Sequence, residues 1–228
     1  MSKPVYLNGT EIFSRFKARL LDLKVGPPSI GNAYLSQANS VIPIKLKETI
    51  GTRPIKMELE FEGEDPHDSL LNISNLTAEL LYENELFMPD GFYYFCILDS
   101  VSTPKWEGGS FYSVTFELVG YRHGAMESKV LNGSGSVDVR GNYKSPAIFT
   151  IENATGTVTI NDITVNDVED TVIINGFDKT VMQTDGVISR NKFKDCEMTK
   201  FPSLNPGVNI ITITGAAKVT IEYTPIYL

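Results

Sequence analysis

The sequence is poor in the residues that most often do chemistry. Its 228 residues include two histidines, two cysteines and one tryptophan. Two cysteines, Cys96 and Cys196, make no disulfide framework. Each sits among apolar or mixed residues and reads as a small buried or half-buried thiol of a reducing compartment. His67 and His123 have no Cys or His at ligand spacing, so neither a zinc site nor any other metal site is expected. There is no Gly-x-Ser-x-Gly elbow and no Gly-rich phosphate loop, and no cofactor is expected. A histidine-based triad stays open, because its members need not be close in sequence. Long apolar runs are missing too. None approaches the roughly 20 residues that span a bilayer, and the start Met1-Ser2-Lys3-Pro4-Val5-Tyr6 lacks the apolar centre of a signal peptide. The chain is expected to be made and folded in a cytoplasm.

Positive charge is absent from one long window. No Lys or Arg occurs from Met57 to Pro104, where Glu58, Glu60, Glu62, Glu64, Asp65, Asp68, Glu79, Glu83, Glu85, Asp90 and Asp99 fall. The segment up to Lys24 is the reverse, with Lys3, Arg15, Lys17, Arg19 and Lys24 against Glu11 and Asp22. With a net charge of −8, a specific nucleic-acid surface is excluded as the leading reading, since it needs clustered cations. A solvated surface explains such polarity. So does a head-to-tail contact in which Arg15, Lys17 and Arg19 of one copy meet an acidic face of the next.

What is present is mostly strand signal. Ile55, Met57, Leu59 and Phe61 alternate with Lys56, Glu58, Glu60 and Glu62, the period of a strand with one wet face. The run Phe92–Leu98 follows the turn Pro89-Asp90-Gly91, and Ser110–Tyr121 returns, so the two read as a hairpin with a long loop. Between these strands one helix is expected over about 65–83, ending near Glu83 or Asn84. Asp65 is its cap, Pro66 its first residue and Asp68 a carboxylate in the first turn. Leu70, Leu71, Ile73, Leu76, Leu80 and Leu81 supply its apolar face.

The second half is more uniformly β. Runs at Ala147–Ile151, Thr157–Ile160, Thr171–Ile174, Asn209–Thr214 and Lys218–Tyr223 are separated by turn residues at Asn153–Gly156, Asn175-Gly176, Asp185-Gly186 and Asn205-Pro206-Gly207. This spacing predicts a sandwich or jelly roll of roughly 100 residues. Asn132-Gly133-Ser134-Gly135 is the strongest composition break, and the boundary is placed near residue 128. The expected fold class is therefore mainly β: residues 1–128 as a β-sandwich with one packed helix, and 129–228 as a second sandwich.

Two further features are candidate sites. Asp162, Asp167, Glu169 and Asp170 lie close together, but lack the spacing and glycine of a calcium loop, and read as a polar loop or strand edge. Trp106, in Pro-Lys-Trp-Glu-Gly-Gly, either anchors a partner or folds back over the sheet edge.

The C-terminal residues are more specific. Phe201–Ile211 leads to Gly215 and then to Val219–Leu228; with Ile174-Asn175-Gly176 and Lys179-Thr180-Val181 upstream, this stretch resembles the C-terminal domain of phage distal tail proteins. The helix, the Pro-Asp-Gly turn, Phe92–Phe95 and Phe111–Tyr121 resemble that family's ring-forming domain more loosely. In the first 54 residues only Tyr6-Leu7-Asn8-Gly9 matches.

The resemblance implies a homo-hexameric ring at the tip of a phage tail or phage-tail-like particle. An N-terminal sandwich would form the ring and a galectin-like C-terminal domain would project outward. The partners implied are the tail tube protein, a hub or tail-associated protein, and a fibre or receptor-binding protein, with no membrane insertion. Glu58, Glu60 and Glu62 would then face the lumen, where a negative wall would not hold passing DNA. Two other readings compete with this one. A carbohydrate-binding module needs an exposed aromatic platform, and residues 129–228 hold no Trp. A tail-associated hydrolase has no motif to support it, so the protein is expected not to be an enzyme.

Overall fold

The computed structural model describes residues 4–35, 44–152, 154–215 and 218–228. Lys3 of the basic segment and Asn153 of the predicted turn lie outside the described residues. The chain divides into two compact units, one running through Arg122 and taking in Leu228, the other His123–Tyr227. Both are mainly β.

The first unit begins with a hairpin. β1 (Tyr6–Leu7) turns into β2 (Thr10–Glu11) through Asn8 (φ 49°) and Gly9 (φ 80°), the consecutive positive φ values of a type I′ turn. A short helix, α1 (Ile12–Phe16), follows and closes on the left-handed residue Lys17, whose N–H bonds the Phe13 carbonyl. Then come β3 (Ala18–Val25), β4 (Ile30–Leu35), β5 (Ile44–Ile50), β6 (Arg53–Glu62), α2 (Pro66–Leu80), β7 (Asn84–Phe87), β8 (Tyr93–Val101), β9 (Lys105–Gly108) and β10 (Phe111–His123). All but β4 and β5 join one antiparallel sheet, in the order β2-β1-β7-β8-β10-β6-β3, with β9 against the start of β10.

Alternation along β6 and β10 sets the core. Ile55, Met57, Leu59 and Phe61 point inward with Val114, Phe116 and Leu118, all essentially inaccessible. α2 and α1 supply the other side through Ile73, Leu76, Leu80, Ile12 and Phe16. The start of α2 is as expected: the Asp65 carboxylate accepts from the Asp68 N–H at 2.8 Å, with Pro66 in the first turn.

Two details of α2 differ from the expectation. Its buried stripe is Ser69, Ile73, Leu76 and Leu80, while Leu70, Leu71 and Leu81 are exposed. A helix on a curled sheet needs only a narrow stripe, and the Ser69 hydroxyl earns its buried place by bonding the Ser110 carbonyl. The helix also stops at Leu80 because Asn84 is already committed to β7. Its side chain donates to the Glu79 and Tyr82 carbonyls, at 3.0 and 2.6 Å, and so satisfies the helix end.

The second unit contains β11 (Glu127–Leu131), β12 (Gly135–Val139), β13 (Ser145–Glu152), β14 (Gly156–Ile160), β15 (Ile163–Val168), β16 (Thr171–Asn175), β17 (Thr180–Thr184), β18 (Ser189–Asn191), β19 (Cys196–Glu197), β20 (Ser203–Leu204), β21 (Gly207–Ile211), β22 (Ile213–Thr214) and β23 (Lys218–Tyr223). One sheet has the order β11-β23-β13-β16-β17-β18, with β20 on β13; another has β19-β15-β14-β22; and β12 pairs β21. Phe149, Ile151, Val172, Ile174 and Ile221 of the first sheet share one core with Val158, Ile160, Ile163 and Val165 of the second. This is a sandwich, with inward residues alternating along β13, β16, β17 and β23.

Each unit buries one tyrosine against a carboxylate. Tyr94 donates to Asp90 at 2.5 Å and Tyr223 to Glu127 at 2.7 Å. Burial, reinforced by the neighbouring carboxylate, pushes both phenols up to about 12.

Candidate assembly surfaces

The predicted charged surface lies on the outward side of β3, β6 and β10. Glu58, Glu60 and Glu62 are half-exposed there, as the alternation of β6 requires. Their neighbours come from pairing register rather than from sequence. β3 sets Arg19 beside Glu60, Asp22 beside Glu58 and Lys24 beside Lys56. β10 sets Ser113, Thr115 and Glu117 opposite Glu60, Glu58 and Lys56. Arg19 bonds Glu62 at 2.9 Å, and Lys56 reaches Glu117 at 3.5 Å. Lys24 is held above its usual pKa mainly by Asp22, and Lys105 mainly by Glu107, with Glu58 adding to both. The first three acids of the window thus sit on a face of mixed sign.

The three basic candidates gather around α1. Arg15 makes a two-pronged contact with Glu79 of α2, at 3.0 and 2.7 Å. Its guanidinium also lies 4.9 Å over the Phe16 ring, and that of Arg19 lies 4.9 Å over Phe13. Lys17 stands 5.8 Å from the Phe13 ring centre, with no carboxylate partner among the described residues. Exposed ion pairs of this kind contribute about 0–1 kcal/mol each. They position α1 on α2 and β3 on β6 more than they stabilise either.

The remaining sequence candidates resolve separately. Trp106 stays 63% exposed, its indole N–H donating to the Gly109 carbonyl at 2.9 Å, so it does not fold back over the sheet. His67 is exposed. His123, the last residue of β10, is buried at 5% exposure, with Nδ1 2.8 Å from the Gly124 carbonyl. Asp162 accepts from the Thr199 hydroxyl at 3.3 Å. No group of three or more His, Cys, Asp or Glu among the described residues is placed to hold a metal ion. Cys96 is buried and Cys196 half-buried; burial lifts the thiols to about 12 and about 11.

One feature was missed. β4 and β5 pair only with each other, from Ile30↔Ile50 to Leu35↔Ile44, in a ribbon separate from the main sheet. None of its described side chains is fully buried, and Ile30 and Leu46 are 58% and 64% exposed. An isolated two-stranded ribbon is marginal in water. The alternation of Ile44-Lys45-Leu46-Lys47 was the available signal.

Residues 149–227 match the family described as siphovirus-type tail component, C-terminal domain. The second unit is thus similar to a siphovirus tail-component domain over most of its length. Whole-chain similarity runs further. The crystal structure of the SPP1 Dit (gp 19.1) protein, described as a paradigm of the hub adsorption apparatus in phages infecting Gram-positive bacteria, is similar with a TM-score of 0.68 at 11% identity, covering 99% of each chain. A chain of the phage P2 baseplate in its activated conformation with Ca gives 0.61 at 14% identity, over 93% of this chain and 91% of that one. The same baseplate with Sr gives 0.59 at 13% identity, over 92% and 91%. None of the curated protein sequences matches. At these identities the likeness is one of fold, and both units share it.

Within the second unit, the residues that carry the resemblance hold the sandwich together. The Asn209 side chain bonds Asn205 N–H at 2.9 Å and the Asn205 and Gly207 carbonyls at 2.7 and 2.9 Å, which fixes the Asn205-Pro206-Gly207 turn. At Gly176 a Cβ would lie 2.2 Å from the Pro202 carbonyl oxygen and 2.6 Å from that of Ala147, so only glycine allows these three segments to close.

Proposed function

We propose that this protein is a structural component of a phage or phage-like tail tip, a ring that joins the tail tube to the hub and host-recognition proteins. The match of residues 149–227 to a siphovirus-type tail component carries the reading, and the whole-length fold likeness to the SPP1 Dit protein extends it to the first unit. The ring is a homo-hexamer formed by the N-terminal region, residues 1–128, while 129–228 projects outward. The ribbon of β4 and β5 supports self-association, because Ile30 and Leu46 stay exposed on it. The role is mechanical and asks no side chain to make or break bonds.

Within this reading Glu58, Glu60 and Glu62 line the channel, tempered by Arg19, Lys24 and Lys56 on the same face. Arg15, Lys17 and Arg19 lie at the subunit contact. Lys17 has the largest share to contribute, since Arg15 and Arg19 already pair within the chain.

Electron microscopy of the purified full chain at high concentration tests the ring directly. Six-fold particles are expected. A monomer at every concentration, confirmed by sedimentation, would remove the ring reading. Clearing of bacterial cell walls by the purified protein would remove the non-enzymatic one.

A further inference from the structure

The second unit carries a groove that the ring reading does not use. Tyr143, Lys144, Pro146, Lys179, Lys200 and Phe201 line an open cavity of about 390 Å³. One side of it is supplied by the turn after β16. The Asn175 side chain accepts from the Phe177 and Asp178 N–H groups at 2.8 and 3.1 Å, and Gly176 N–H bonds the Ala147 carbonyl at 2.8 Å. That turn delivers Lys179, whose ammonium bonds the Gly176 carbonyl and stands 5.6 Å from the centre of the Phe201 ring. Phe201 is backed in turn by Phe193, stacked at 6.0 Å.

Charge on this groove is one-sided. No carboxylate lines the outer cavity. Among the described residues, none of Lys144, Lys179 and Lys200 forms an ion pair, although the chain as a whole is acidic. A smaller recess of about 150 Å³ continues inward past Lys144, Lys200 and Phe201 to Asn161 and Asp162. An anion therefore belongs in the outer part, away from Asp162.

We infer that this groove docks an extended acidic peptide segment of a partner protein, with its carboxylates on the three lysines and an apolar side chain over Phe201 and Pro146. Three cations without carboxylate partners complement a negatively charged segment. An aromatic and proline floor gains energy only if the ligand also brings apolar surface to bury. A bare phosphate chain brings none. The inference stands apart from the ring, since it concerns a surface within the second unit.

The test uses the full chain and a fluorescein-labelled peptide alternating Glu and Leu, read by fluorescence anisotropy. Binding is expected to weaken as salt rises. It should fall on the order of ten-fold or more in a Lys144→Glu, Lys179→Glu, Lys200→Glu triple variant. All three side chains are exposed, so the fold should survive, and an unchanged melting temperature checks this. A peptide with Gln in place of Glu should not bind, and one with Ser in place of Leu should bind more weakly. Equal binding by the folded triple variant would overturn the inference. So would inorganic polyphosphate that binds as tightly as the Glu-Leu peptide and displaces it, since the groove would then be a plain anion site. Ring formation by the same variant is scored separately, and its failure alone leaves the groove intact.

Discussion

The two units handle charge in opposite ways. In the first, a stretch of 48 residues without a single cation, from Met57 to Pro104, receives cations from outside it, Arg19 on Glu62 and Arg15 on Glu79. In the second, three lysines that are far apart in sequence gather without acidic partners on one groove. Neither arrangement follows the order of charges along the chain. In a sheet the neighbour of a side chain is set by strand register, so a charge window read along the chain says little about the field at the surface.

The units also close their cores differently, and that difference can be broken most strongly. The first closes a single sheet with helices, around Phe61 and Phe116, whose rings lie 6.2 Å apart. Phe61→Ala should cost about 3–5 kcal/mol. With separate cores, the loss is expected in the first unit's transition alone. Denaturant unfolding followed by Trp106 fluorescence for the first unit, and by circular dichroism for the whole, checks this. A uniform loss across both transitions would mean that the units unfold as one.

The sandwich has its own vulnerable point. Gly176→Ala forces a Cβ into the Pro202 and Ala147 carbonyls and should destabilise the second unit by about 1–3 kcal/mol. Fluorescence of Trp106 should not register it. A change confined to the first unit would contradict the assignment of the β16 turn to the sandwich core.

Alkali sharpens the comparison further. Tyr94 and Tyr223 both have folded pKa values of about 12, above the ordinary phenol value near 10. Because the folded value is the higher one, their contribution is fully present below about pH 10 and lost as pH rises toward 12. Tyr94→Phe should flatten that loss in the first unit, and Tyr223→Phe in the second, as read by melting temperature between those limits. Equal flattening of both transitions by either change would show that the phenols do not titrate unit by unit.

The smallest effect is expected on the charged face. Arg19→Ala breaks the 2.9 Å pair with Glu62, yet both side chains are more than a third exposed, so the loss should stay below about 1 kcal/mol. A larger loss, measured by denaturant midpoint, would mean that this face holds the first unit together.

Much of the fold was legible because some signals are local. Asn8-Gly9 needs no partner to dictate a tight hairpin, and Asp65-Pro66 starts a helix by its own chemistry. The alternation of β6 reports its own burial. Other features depend on partners distant in sequence. The helix ends early because Asn84 is recruited by β7. Leu70 and Leu71 stay in solvent because the sheet below takes Ser69 instead. α1 is too short to show helical periodicity. The candidate surfaces were the least legible part. Arg15 and Arg19 read as free cations, but tertiary structure brings Glu79 and Glu62 to them, and the lysine groove joins residues from β13, the β16 turn and the segment before β20.

The two thiols fall one to each unit, and that gives the molecule a pair of clocks. At neutral pH neither Cys96 nor Cys196 holds an appreciable fraction of the nucleophilic thiolate. An alkylating reagent must wait for the structure around buried Cys96 to open, and the half-buried Cys196 reacts slowly until β19 loosens. The capture rate at Cys96 then counts openings of the first unit, while that at Cys196 counts those around β19 in the second. Whatever restrains one unit on assembly should slow one clock and leave the other running.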